Sequence, residues 1–227
     1  MALLGQAALA MWWDMAAGHK HEFEDWHTHE HFPERLGVPG FLRGSRWTSA
    51  DGGDGIFVLY ELRDHGVLSS PGYAARLNAP TPWSTKLMPH HANMVRSQND
   101  VLESRGAAIS RTAMTVRLSP SDGRADTLLA RLQTLIGDWS SQPGASGAHL
   151  LRHRAPPIAQ TTEQKIRGGA DRAADWVLVV CAYEAAALES LAAGALSAAS
   201  LQNLGAGPEV IRGIYTLATS ATPQDVT

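Results

Sequence analysis

The chain has 227 residues, 44% hydrophobic and 18% charged, with a net charge of −3. That composition excludes a disordered chain, and a nucleic-acid binder would carry a basic stripe that is missing here. No run of about 18 apolar residues is available to span a membrane. The apolar stretch Met1–Met15 lacks a basic start and a small-residue cleavage site, so it reads as a strand and not as a signal peptide. The single cysteine, Cys181, excludes an intrachain disulfide, which fits a reducing compartment. A soluble, cytoplasmic protein is expected.

In chain order, Gln6–Met15 reads as a strand, His21–Glu34 as a helix and Phe41–Ser49 as a second strand. A glycine-rich hairpin at Asp51–Gly55 leads into a buried strand, Gly55–Leu62. A helix over Gly66–Asn78 is stopped by Pro80 and Pro82. The next strand must lie within Lys86–Arg105, where Pro89, His90 and His91 break the pattern; the paired histidines read as a polar loop. Ser110–Leu118 is a strand, followed by a helix over Asp126–Trp139. There Leu128, Leu132, Leu135, Ile136 and Trp139 form one stripe, which predicts a buried Trp139. Ala148–Arg154 and Asp175–Glu184 are strands, Ala185–Leu204 is a helix ended by Gly205, and Glu209–Thr219 is the last strand. The long connection Ala155–Ala174 reads as a surface hairpin or a functional loop.

Each half, 1–106 and 107–227, therefore repeats strand, helix, strand, strand, helix, strand. That is the split βαβ order of a ferredoxin-like unit, so the fold class is α+β with two tandem units. Such a unit carries helices on one sheet face. Its other face must be covered by a second sheet, from the other half or from a partner chain in a homodimer.

The densest chemistry lies in His19–His31, which holds five of the ten histidines. On an α-helix, Phe23, Trp26, His27, Glu30 and His31 share one face, while His21, Asp25 and His29 point away. A carboxylate beside an imidazole can fix its tautomer and make it a general base. The alternative is that Glu30 and His31 only brace the turn at Pro33. His27 to His31 also spells H-x-x-E-H, a zinc-hydrolase motif that needs a third ligand. Tyr60, Tyr73 and Trp83, with Trp12, Trp13 and Trp47, supply aromatic walls for a flat ligand or an ordinary core. Arg43 and Arg46 suit an anionic ligand group or a surface ion pair. Cys181, in an apolar strand, reads as an inert buried thiol.

The run from Phe23 to Phe41 contains Trp26, Glu30-His31, Pro33-Glu34-Arg35 and Pro39-Gly40-Phe41. Together with Arg46-Trp47, Tyr60-Glu61-Leu62, Ser70-Pro71-Gly72-Tyr73 and Pro80-Thr81-Pro82-Trp83, it resembles EthD-like proteins of the dimeric α/β-barrel superfamily. The resemblance covers roughly residues 7–118; the second half matches in element order alone. It implies a dimeric α/β-barrel arrangement and leaves the activity open, because one fold hosts many reactions. No nucleotide-binding or nucleophile-elbow motif is present, so no cofactor is expected. The reading is a small enzyme doing proton-transfer chemistry (isomerase, cyclase or lyase) on a hydrophobic or aromatic metabolite. His31 would be the base and Glu30 its orienting partner, with Trp26, His27, Arg46, Tyr60 and Trp83 lining the site. The alternatives are a non-catalytic small-ligand or stress-related barrel and, ranked below it, a zinc hydrolase.

Overall fold

The computed structural model describes residues 2–169 and 171–226. Strand β1 (Ala7–Met15) leads to α1 (Lys20–Trp26), a π-helical turn (His27–His31) and α2 (Phe32–Leu36). Strands β2 (Phe41–Ser49) and β3 (Gly55–Leu62) form the hairpin, followed by α3 (Pro71–Asn78), α4 (Pro82–Leu87) and β4 (His91–Gly106). The second set is β5 (Thr112–Pro120), α5 (Ala125–Ser140), β6 (Ala145–His153), α6 (Thr162–Ile166), β7 (Trp176–Ala182), α7 (Ala185–Ala193), α8 (Ala198–Leu204) and β8 (Ala206–Ala221).

Two compact units result. One contains Leu4–Asp100, Arg154–Ala173 and Ala218–Thr227; the other contains Val101–His153 and Ala174–Leu217. In the first, the strands run in the order β4-β1-β3-β2, with β1 antiparallel to both neighbours. In the second, the order is β8-β5-β7-β6 and again antiparallel. Both are the 4-1-3-2 sheet of a ferredoxin-like unit, as the element order required. Strands β4 and β8 are each 16 residues long and contribute their two ends to different units.

In the first unit, alternation along β1 sends Leu9 and Trp13 toward the helices, where they join a core with Phe23, Phe32, Phe41 and Leu77. The opposite face carries Trp12, Phe57 and Trp47, with successive ring centroids 5.2 and 5.1 Å apart. In the second unit, Leu128, Leu132, Ile136 and Trp139 of α5 are buried against β5 and β7, with Trp139 only 2% exposed. Leu135 lies at the stripe's edge and is partly buried. Cys181 is fully buried, its thiol directed at the Ala108 carbonyl.

Three segments differ from the sequence reading. Pro80 and Pro82 do not simply end a helix: Pro82 sits in the first turn of α4, where its missing N–H is not needed, behind the Thr81 cap. The helix expected over 185–204 is broken at Gly194, and Ser197 caps α8 anew; alanine-rich sequence has no periodicity that would reveal the break. The connection between β6 and β7 is not a plain surface hairpin. It contains α6, and it packs on the first unit. Thr161 and Gln164 form a reciprocal capping box at its start. Thr161→Ala should therefore lower the local opening free energy of α6 by about 0.5–2 kcal/mol. Hydrogen exchange of the α6 amides measures this, and unchanged protection would contradict it.

Candidate functional site

A cleft enclosing about 440 Å³, including its open mouth, lies within the first unit between the sheet and its helices. The π-helical turn shapes its most polar wall. The Phe32 N–H bonds the His27 carbonyl, five residues back instead of four. The next residue, Pro33, has no N–H to continue α-helical bonding, and the widened turn brings it into α2 without ending the helix. Pro33 thus does not terminate the helical run as the sequence suggested.

Trp26, His27 and His31 line the cleft, with the Trp26 and His31 rings 4.5 Å apart and the His27 and His31 rings 5.5 Å apart. Glu30 does not line the cleft, although it contacts its i−4 neighbour Trp26. Its carboxylate accepts from the Trp26 indole N–H at 3.0 Å and from the Thr81 hydroxyl. The carboxylate nearest His31 is that of Glu34, whose Oε2 is 3.9 Å from Nδ1, beyond hydrogen-bond range. His21, Asp25 and His29 are exposed.

The remaining expected site residues divide in the same way. Tyr60 of β3 lines the cleft, its hydroxyl buried and without a partner. Arg46 does not line it: the guanidinium reaches the Glu24 carbonyl and the Thr28 hydroxyl, both at 3.3 Å, and so ties β2 to the start of the π turn. Trp83 is half-buried beside the core and donates its indole N–H to Glu22 at 3.1 Å. Arg43 forms a two-pronged pair with the buried Glu61 at 2.6 and 2.8 Å.

Several other residues line the cleft, and of these the sequence singles out only Tyr73 for a ligand, as an aromatic wall. His91 opens β4 and faces the cleft. Arg35 of α2, Tyr73 of α3 and Arg96 of β4 line it as well, as do Glu163 and Arg167 from the connection containing α6. The Arg35 and Glu163 side chains are joined in a buried ion pair. Arg167 completes the network, 3.7 Å from Glu163 and 2.9 Å from Asp171. From the sequence this wall is only a long connection, Ala155–Ala174, readable as a surface hairpin or a functional loop.

The electrostatics follow from burial. His27 and His31 are held well below the ordinary imidazole range, first because burial disfavours the cation, then because Arg46 stands beside His27 and Arg35 beside His31. His91 is partly exposed as a residue, but both its ring nitrogens are shut off from solvent. Burial, followed by the charge of Arg167, lowers it to about 3. Burial also raises the Tyr60 hydroxyl, keeping it a neutral donor. Burial is the largest influence on Arg35 and pulls it down, but Glu163, Tyr73 and Tyr60 together outweigh it, and the net shift is upward. Both nitrogens of His27, both of His91, and Nδ1 of His31 have no hydrogen-bond partner, and neither does Nη1 of Arg35. Buried polar atoms left unpaired are costly, each by about 1–3 kcal/mol. Their residues line one cleft, which makes it the candidate site.

Among the described residues no group of three or more metal-ligating side chains is arranged around one point. The H-x-x-E-H spacing places His27 and His31 in the cleft but turns its glutamate away to Thr81. A zinc hydrolase would need that glutamate beside the ion. Among the described residues no helix is long and apolar enough to cross a membrane.

Comparison with solved structures agrees with the architecture. The chain is similar to a provisionally assigned monooxygenase of Fusobacterium nucleatum (TM-score 0.63, 9% identity, covering 96% of this chain and 95% of that one). It is also similar to an anthrone oxidase-like protein (TM-score 0.62, 12% identity, covering 96% and 93%). A third such structure is a provisionally assigned monooxygenase of Lactobacillus acidophilus (TM-score 0.58, 9% identity, covering 96% and 97%). At these identities the likeness shows the fold alone: α+β, ferredoxin-like, of the dimeric α/β-barrel type. No protein-family model and no curated protein matches the chain. The EthD-like subgroup rests on the sequence motif.

Proposed function

We propose that the protein is a small-molecule enzyme that removes a proton from a flat, hydrophobic substrate, with His31 as the base. The observation that carries this is that neutral, unpaired imidazoles and unpaired donors line the same cleft. A C–H proton beside a carbonyl would pass to the imidazole. The electron pair would move onto the carbonyl oxygen, where the Arg35 guanidinium and the Tyr60 hydroxyl can donate to it. Enolate and imidazolium then form as a pair, and Glu34 beside Nδ1 offsets the new positive charge. Glu30 acts as a positioning residue through Trp26, whose ring packs on His31.

Anthrone is a suitable probe, since its methylene is acidic and one structural neighbour is anthrone oxidase-like. In D₂O the protein should accelerate exchange of that methylene, followed by NMR, and His31→Ala should slow the protein-catalysed exchange by about 10²–10⁴-fold. His29→Ala, on the exposed side, is the control. Because His31 stays neutral far into acid, the rate should be flat from pH 6.5 upward. Exchange unaffected by the wild-type protein, or equal in His31→Ala, refutes the assignment. The depressed basicity of all three imidazoles favours one second reading, a non-catalytic binder. In that case anthrone binds without exchange.

A further inference from the structure

We infer that the ligand of this cleft is a carboxylate-bearing molecule, its carboxylate seated between Arg96 and Arg35. The inference deepens the proposed proton-transfer reading of the same site but rests on a separate observation, a buried guanidinium whose partner is neutral.

Three guanidinium groups line the cleft: Arg35, Arg96 and Arg167. Three carboxylates stand among them: Glu34 beside Arg35, Glu163 and Asp171. Glu163 is shared by Arg35 and Arg167, and Asp171 pairs with Arg167. Arg96 has no carboxylate partner. Its side-chain hydrogen bond goes to the Tyr73 hydroxyl, a neutral group, at 2.9 Å, and the residue is 6% exposed. The imidazoles add no charge, since burial keeps them neutral. Arg96 is therefore a buried guanidinium whose hydrogen-bonded partner is neutral, a costly arrangement unless an anion pairs with it.

Two further unpaired donors belong to residues that line the same cleft. Arg35 flanks the same Tyr73 ring, 5.7 Å from its centroid, and its Nη1 is buried without a partner. The Tyr60 hydroxyl is likewise unpaired. A carboxylate accepts several hydrogen bonds and matches the guanidinium fork, and the apolar lining of Leu9, Met11, Met88 and Met94 strengthens such a pair by excluding water.

Benzoate and benzamide have the same shape and differ in charge, so they separate the two contributions. Titration calorimetry of the wild-type protein at pH 7.5 should show benzoate binding about tenfold or more tightly than benzamide. Arg96→Gln should abolish that preference. Without ligand it should melt no lower than wild type, because the substitution removes a buried charge whose partner is neutral. Tyr73→Phe, which keeps the charge, should retain the preference. Equal binding of the two probes, absence of benzoate binding, or an undiminished preference in Arg96→Gln would overturn the inference. If Arg96→Gln fails to fold, the charge is structural and the inference is likewise overturned. Failure here is distinguishable from failure of the proton-transfer reading. Equal binding of both probes leaves an aromatic cleft with a base intact, whereas benzoate selectivity without anthrone exchange leaves the carboxylate site and removes the base.

Discussion

Lowering the pH from 7.5 to 5.5 is expected to reduce the unfolding free energy by about 4 kcal/mol through three histidines. His27 and His31 are held well below their ordinary value, and His91 falls to about 3. All three stay neutral in the folded protein at pH 5.5. In the unfolded chain they titrate near 6.5, so at pH 5.5 the unfolded state binds about one more proton per histidine. Stability therefore rises with pH across this window and is lost as pH falls below about 6.5. Each histidine contributes about 1.4 kcal/mol by pH 5.5. Glu34 and Glu61 act in the opposite sense. Burial raises both above the usual carboxylate range, so the folded state takes up their protons first and gains stability at lower pH. Urea midpoints at the two pH values measure the net effect, and His91→Leu should remove about a third of the histidine contribution. A midpoint unchanged between pH 7.5 and 5.5 would contradict the buried, neutral state of these imidazoles.

Glu163→Ala should cost about 3–5 kcal/mol, the range for breaking a buried ion pair from one side. Glu163 is 4% exposed and Arg35 is 2% exposed. Truncation strands the Arg35 guanidinium in the core and removes one of the two carboxylates next to Arg167. Glu163→Gln should cost less, because its amide oxygen still accepts from Arg35. Arg35→Met combined with Glu163→Met should recover most of the loss, since neither member of this pair is then left as an uncompensated charge. Urea denaturation measures all three, and a loss below about 1 kcal/mol for Glu163→Ala would place the pair in solvent-like surroundings. The same substitution should raise hydrogen exchange in α6, which this ion pair holds against α2.

Much of the architecture was legible from pattern alone. The β-branched runs at Gly55–Leu62 and Trp176–Ala182, the heptad-like stripe from Leu128 to Trp139 and the repeated element order are local properties, and local hydrophobic periodicity reports them directly. They were enough for two ferredoxin-like units and for a buried Trp139. The clustering of Trp26, His27 and His31 was also readable, because residues one to five apart on a helix stay close whatever the turn geometry. Only the tertiary structure decided the rest. Glu30 is engaged by Thr81, 51 positions away, and an α-helical wheel cannot show that. Arg35 stood in the Pro33-Glu34-Arg35 motif without a role of its own, His91 read as part of a polar loop and Arg96 carried no reading, because nothing within a few residues of them reveals what they face. Glu163 meets Arg35 across 128 positions of sequence. The site's charge balance is a sum over such distant pairs, and it exists only once folding has brought them together and excluded the water between them.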